Sequence, residues 1–261
     1  MCDPNSNPPA NYSHWPAIPA PQRVRLSVLP EHPCPYLPQR TAQSRGLWAD
    51  QMPAEGYRAF MDAGFRRSGK VIYQPICAGC RACQPIRVPV ARFRPSKSQR
   101  RCYRRNADLA VCIGPPIPTS EKYELYARYI REWHGRADGA EYDEFVSFLY
   151  DSPVESMEFC YRDDDGRLLA VGICDVSART LSSVYHYFDP RDARRGLGIY
   201  GALREIEHAR SREIAYYYLG YWIDGCRPME YKSVLRPFEI LWPDQVWRAG
   251  PVDKPYAALV V

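Results

Sequence analysis

The chain has 261 residues, 35 Lys and Arg against 30 Asp and Glu, a formal net charge of +5 and ten cysteines. No apolar run approaches the roughly 18 residues of a membrane-spanning helix, and the N-terminus lacks the basic-then-apolar order of a signal peptide. The expectation is a cytoplasmic chain, with thiols reduced or metal-bound rather than disulfide-paired.

Residues 1–22 are rich in Pro, Asn and Ala without apolar periodicity, and read as a flexible Pro-rich tail. Residues 23–115 read as an N-terminal region of cysteines and a basic helix. It opens with VRLSVL at 24–29, which alternates like a short strand and leads into a Pro-stiffened loop carrying Cys34. AEGYRAFMDAGFRR at 54–67 places Tyr57, Phe60 and Met61 at helical spacing, with Gly64 where a helix stops. KVIYQPI at 70–76 is β-branched and aromatic, hence a strand. It delivers the chain to CAGCRAC at 77–83, and QPIRVPV at 84–90 reads as the returning strand.

Cys77, Cys80 and Cys83 have the spacing C-x2-C-x2-C. Thiolates three apart can reach one metal or one iron–sulfur cluster, since the loop between them folds back on itself. Cys34 is the candidate fourth ligand. The alternative is buried or free thiols, the reading given to the other six cysteines.

From Cys77 to Asn106 there is no acidic residue. Pro95-Ser96 marks a helix start. Beyond it Lys97, Arg100, Arg101, Arg104 and Arg105 recur at i, i+3, i+4, i+7 and i+8, one helix face. An ordinary solvated helix interleaves Glu on such a face, whereas a phosphate backbone neutralises an all-cationic one, so these five are the candidate RNA contacts.

The Pro-rich stretch at 113–120 sets a boundary before a second domain, 116–261. Its expected elements are helices at 121–134 and 141–151, strands at 156–162, 168–176 and 180–188, a helix at 196–212 and a strand at 214–221. Three strands in a meander, a helix opening at a glycine-containing turn and a further strand make the order of the GNAT acyltransferase core. The fold class expected is α+β, a cysteine-containing region followed by a GNAT-like domain.

RRGLG at 194–198 opens that helix, and its freed N–H groups with Arg194, Arg195 and Gly198 make a candidate anion site. Its match to the acyl-CoA pyrophosphate pattern is broken by Tyr200. Tyr185 and Tyr187 share a strand face by alternation. The segment 220–232 brings Tyr221 and Lys232 to the same end of the domain.

At these residues the chain resembles the bacterial aspartate/glutamate leucyltransferases of the arginyl-tRNA–protein transferase family. The matching residues are CPYLP at Cys34, GFRRSG and the cysteine run through Val88, S-x-SQ-x-R from Ser96, VYHYFDP at Val184, LGIY at Leu197 and YLGYWIDGCRPMEYK from Tyr218. The resemblance spans about residues 24–240. It implies transfer of an amino acid, leucine in this branch, from aminoacyl-tRNA to a protein's N-terminal Asp or Glu, marking that protein for degradation. No nucleotide cofactor is implied. In eukaryotic relatives the first cysteine motif is CxxC, linked to an iron–sulfur cluster; here it reads CPYL, with Leu37 in the second cysteine place. A cluster or zinc on Cys34, Cys77, Cys80 and Cys83 is therefore an expectation.

The implied chemistry is aminolysis of the tRNA ester. Tyr187, Tyr221 and Lys232 are the candidate proton donors or relays, backbone N–H groups of 180–188 the oxyanion donors, and Arg195 and Lys232 the candidate partners of the acceptor carboxylate. The competing readings are arginine as the donor amino acid, a CoA-dependent GNAT N-acetyltransferase, and a non-catalytic RNA-binding metalloprotein.

Overall fold

The computed structural model describes residues 23–251. The tail expected at 1–22 lies outside the described residues. In chain order, β1 (Ser27–Val28), β2 (His32–Pro33), β3 (Thr41–Ala42), β4 (Ser44–Trp48), α1 (Ala54–Asp62), β5 (Arg66–Ser68) and β6 (Val71–Pro75) form the first part. Strands β1, β4, β6 and β5 lie in that order in a small antiparallel sheet, with β2 and β3 paired beside it. The helix expected to stop at Gly64 ends at Asp62, just before that glycine. Gly64 takes φ +82°, and the chain turns back so that Arg66, Arg67 and Ser68 pair with Tyr73, Ile72 and Val71. The sequence pattern assigns no element to these three residues, which form β5.

The second part contains β7 (Gln84–Pro89), α2 (Lys97–Arg105), β8 (Ala110–Gly114), α3 (Ser120–Arg128), α4 (Tyr142–Phe145), β9 (Ser156–Arg162), β10 (Leu168–Ser177), β11 (Thr180–Phe188), α5 (Leu197–Ser211), β12 (Tyr216–Trp222), α6 (Arg227–Glu230), β13 (Glu239–Leu241) and β14 (Trp247–Ala249). One eight-stranded sheet runs β14-β13-β7-β12-β11-β10-β9-β8. The antiparallel meander β9–β10–β11, the helix α5 and the strand β12 parallel to β11 reproduce the GNAT-like order expected from sequence. Strand β10 is buried along its whole length, and the core gathers its two faces with α3, α4 and α5.

The cysteine loop joins two sheets. Strand β6 pairs with β4 and β5, whereas β7 pairs with β12 and β13. The strands flanking the loop are therefore not partners, contrary to the returning-strand expectation. Strand β8 shares the eight-stranded sheet with β9, so the sheet runs across the Pro-rich stretch at 113–120.

Two arginines, Arg67 of the GFRRSG segment and Arg87 of β7, fasten the first part to the second. Arg67 donates to both Asp175 oxygens at 2.8 Å, Asp175 also accepts from Tyr57 and Ser156 at 2.7 Å, and both side chains of the ion pair are fully buried. Arg87 on β7 pairs with Asp62 and Glu239 at 2.9 Å and stacks on Tyr216 and Trp247.

Candidate active site

The centre of the large sheet opens. Strands β11 and β12 pair over only three residues, Thr180, Leu181 and Ser182 against Tyr216, Tyr217 and Tyr218. On β11, Ser183 and Tyr185 oppose Cys174 and Ile173, which leaves Val184 as an inserted residue. On β12 the register shifts between Tyr218 and Gly220, and Gly220 takes φ +77°. Such bulges bend the strand and end local pairing, so carbonyls that the ladder would have paired need another donor. Arg66 supplies it. Its Nη1 donates to the Leu219 carbonyl at 3.2 Å, and its Nη2 to the Ser183 and Val184 carbonyls at 3.0 and 3.2 Å. A Cβ on Gly220 would lie 1.0 Å from Arg66 Nη1, so only glycine admits the guanidinium.

Aromatic rings surround this gap. Tyr36, Tyr73, Tyr221 and Tyr231 all feel the Arg66 charge. Lys232 is buried, and its Nζ donates to the Tyr221 carbonyl at 2.6 Å. Burial and the neighbouring Arg66 hold its ammonium well below the usual lysine range. Tyr221 spends its hydroxyl on the Gly64 carbonyl at 2.9 Å, a tie between the two parts of the chain.

The expected site residues do not all converge. Tyr185 and Tyr187 do share a face, both against Tyr126. Tyr187, however, is fully buried among Tyr126, Phe145 and Tyr150, with its hydroxyl 3.2 Å from that of Tyr150. Lys232 instead packs with Met229 and β12, so the structure does not bring the two together. Arg195 is committed elsewhere: it forms a bidentate pair with Asp108 at 2.9 and 3.0 Å, which raises its pKa further. Its carbonyl accepts from Asn106 at 3.0 Å, packing the turn on the end of α2. Arg194 is exposed, and its carbonyl accepts from Arg105 at 2.7 Å. Gly196 takes φ +70° before α5, and the space beside Gly198 is open.

Sequence reasoning missed Arg66, although its signal was visible: one of two adjacent arginines just after a helix-stopping glycine. It also missed a polar cluster beneath the sheet. Glu205 lies in an apolar helix stripe with Ala202, Ile206 and Ala209, and its carboxylate accepts from Tyr217 at 2.5 Å. Burial pushes Glu205 up to about 7, and burial lowers the nearby His186 to about 4. Gly172 and Gly201 make the room: a Cβ on Gly201 would lie 2.3 Å from the His186 ring, and one on Gly172 2.5 Å from Glu205.

The basic helix forms as expected. Ser96 and Gln99 close a capping box at its start, and Gln99, Cys102 and Asn106 face inward. Lys97, Arg100, Arg101, Arg104 and Arg105 are all exposed. Arg100 and Arg105 donate to backbone carbonyls, and among the described residues none of the five forms an ion pair with a carboxylate. The cationic face continues through Arg105 to Arg194.

Cys77, Cys80 and Cys83 line one cavity of about 100 Å³ with Gln74, Gln84 and Trp242. Cys34 and Cys77 each accept a backbone N–H at sulfur, from Leu37 and Gln43 at 3.4 Å. Burial and the neighbouring thiols Cys77, Cys34 and Cys80 push Cys83 up to about 12. Among the described residues no three His, Cys, Asp or Glu side chains stand close enough to hold a metal ion. The thiols share a pocket without forming a ligand shell.

A meander, a helix opened by glycine and two parallel strands parted around a cationic gap make this an acyltransferase-like enzyme. The N-terminal and C-terminal sequence patterns of the arginine-tRNA-protein transferase family match residues 32–101 and 121–242. The chain is 40% identical over 222 residues to an aspartate/glutamate leucyltransferase of Saccharophagus degradans, covering 83% of this chain and 93% of that one. It is 40% identical over 227 residues to one of Pseudomonas putida, covering 84% and 94%. It belongs to the arginine-tRNA-protein transferase family, whose members are aminoacyltransferases. Solved structures overlap loosely: FemX at a TM-score of 0.43 and 9% identity over 72% of this chain and 77% of that one, and L-PGS from Bacillus licheniformis at 0.41 and 14% over 66% and 51%. Overlaps at that level carry no conclusion about chemistry.

Proposed function

We propose that this enzyme transfers leucine from leucyl-tRNA to the N-terminal Asp or Glu of acceptor proteins, marking them for N-degron degradation. The carrying observation is the 40% identity, across both family patterns, to proteins named aspartate/glutamate leucyltransferase. The acid-free face of α2 supports an RNA-borne donor. The proposal places the enzyme in the cytoplasm, where charged tRNA is made; among the described residues no helix is long and apolar enough to cross a membrane.

The donor ester is already activated, so no covalent enzyme intermediate is required. A free α-amine has a pKa of roughly 7.7–8, so a useful fraction attacks unprotonated. The ammonium first gives up one proton to become the attacking amine; its nitrogen bonds to the ester carbonyl carbon, the bond from that carbon to the ribose oxygen breaks, and a second proton from the nitrogen leaves with the ribose oxygen as a hydroxyl. Of the three proton-relay candidates, Lys232 suits the first step, because burial and Arg66 favour its neutral amine, which accepts a proton. The proposal takes backbone N–H groups of β11, which pairs with β12 over only three residues, as the oxyanion donors. The commitment of Arg195 to Asp108 argues against a CoA pyrophosphate seat at residues 194–198.

The test is purified protein with labelled Leu-tRNA, Arg-tRNA or acetyl-CoA and peptides starting with Asp, Glu or Ala. Label is expected to pass from Leu-tRNA to the Asp and Glu peptides. Transfer from acetyl-CoA with none from either tRNA supports the acetyltransferase reading, and tRNA binding without transfer supports the non-catalytic one.

The proposal includes a zinc ion or iron–sulfur cluster on Cys34, Cys77, Cys80 and Cys83, supported by the pocket that Cys77, Cys80 and Cys83 share and by the N–H groups aimed at the Cys34 and Cys77 sulfurs, and it requires these thiols to draw closer than they stand here. Anaerobic purification, metal analysis and a visible spectrum are expected to find stoichiometric zinc or iron. Fully active protein with neither would leave these cysteines as packing residues or redox-sensitive thiols.

A further inference from the structure

We propose that Arg66 is the residue that selects acidic acceptors, pairing its guanidinium with the N-terminal Asp or Glu carboxylate in the gap between β11 and β12. The inference rests on the leucine-transfer reading and names the determinant of its acceptor specificity.

Adjacent arginines have opposite fates here. Arg67 is fully buried and neutralised by Asp175 through two hydrogen bonds. Arg66, one residue earlier and half-buried, has no carboxylate partner among the described residues. It contacts only the neutral carbonyls of Ser183, Val184 and Leu219. A guanidinium has five N–H donors, and three contacts do not exhaust them. Lys232 lies close enough to feel Arg66, and burial together with that charge favours its neutral amine, so it brings no anion to Arg66. The titratable groups around them are the phenols Tyr36, Tyr73, Tyr221 and Tyr231 and the thiols Cys83 and Cys226, and burial raises the pKa of each, which favours the uncharged form. A partly desolvated cation held by neutral dipoles alone gains most from an incoming anion.

The acceptor is the substrate that brings an anion to this point. The leucyl end of the donor carries its own ammonium, which Arg66 repels. An N-terminal Asp or Glu carries a carboxylate a few bonds from the amine that attacks. Anchoring that carboxylate on Arg66 therefore fixes the amine beside the parted strands, where the ester must lie. The corresponding amide, in Asn or Gln, leaves the cation unneutralised, so a large preference for acid over amide follows. Gly220 belongs to the same device, because any side chain there displaces the guanidinium.

The experiment has two arms. In the first, kcat/KM is measured for peptides starting with Asp and with Asn, using wild type, Arg66→Gln, Arg66→Lys and Gly220→Ala, each checked for folding by thermal melting. In Arg66→Gln and Gly220→Ala the Asp-over-Asn preference should fall at least tenfold, through acceptor KM, while KM for Leu-tRNA stays constant; Arg66→Lys should retain part of the preference. The second arm needs no variant. Wild-type enzyme is treated with phenylglyoxal, and modification of Arg66 is followed by peptide mapping with Asp-starting or Asn-starting peptide present. The Asp peptide should protect Arg66 and the Asn peptide should not. Equal protection by both, or an unchanged Asp-over-Asn ratio in folded Arg66→Gln, overturns the proposal and leaves Arg66 as a clamp between strands. A rise in donor KM alone overturns it too, in favour of a tRNA contact. Absence of leucine transfer in the wild type defeats the underlying reading instead, whatever Arg66 does.

Discussion

Replacing Arg100, Arg101, Arg104 and Arg105 together by Gln is expected to flatten the salt dependence of tRNA binding. Each phosphate contact contributes about 0.7–0.9 to the slope of log affinity against log salt, so losing all four lowers it by about 3. Affinity at low salt should fall by orders of magnitude. The α2 helix should survive, because its inward face of Gln99, Cys102 and Asn106 and its Ser96 cap are untouched. Binding isotherms across a salt series, with circular dichroism as the control for folding, make the measurement. An unchanged slope would show the face to be ordinary solvated surface.

The second large effect concerns stability. Asp175→Ala should cost about 3–5 kcal/mol, because it strands the Arg67 guanidinium in the interior together with the Tyr57 and Ser156 hydroxyls that donated to it. Urea unfolding at constant slope reads this as a lower midpoint. Arg67→Met should cost far less in an Asp175→Leu background than in the wild type, since neither charge is then buried alone. Additive costs would mean that the pair does not couple the first part of the chain to β10.

Much of this was legible in the sequence wherever a periodic pattern matched a local rule. Strands 156–162 and 180–188 fall on the bounds expected; the DDDG turn ends the first, and the second carries its own β-branched and aromatic pattern. The basic helix was legible because its cap, inward residues and cationic face are all local. What was not legible depends on distant partners. Strand β8 is five residues abutting a Pro-rich run, and it is a strand because β9 pairs with it. Strands β13 and β14 are three residues each and gain their form from β7 and from one another. The site was harder still. Arg195 reads as a free anion binder until Asp108, 87 residues away, takes it. Arg66 reads as one more basic residue until β11 and β12 part around it. Tyr187 reads as a site tyrosine because alternation fixes its face, but not which helices cover that face.

The most direct measurement is the mass of an Asp-starting peptide after incubation with purified enzyme, Leu-tRNA and acetyl-CoA supplied together. The product expected is the peptide extended by one leucine on its α-amine, with its Ala-starting counterpart unchanged. An acetylated peptide, or both peptides unchanged, would contradict leucine transfer as the function of this enzyme.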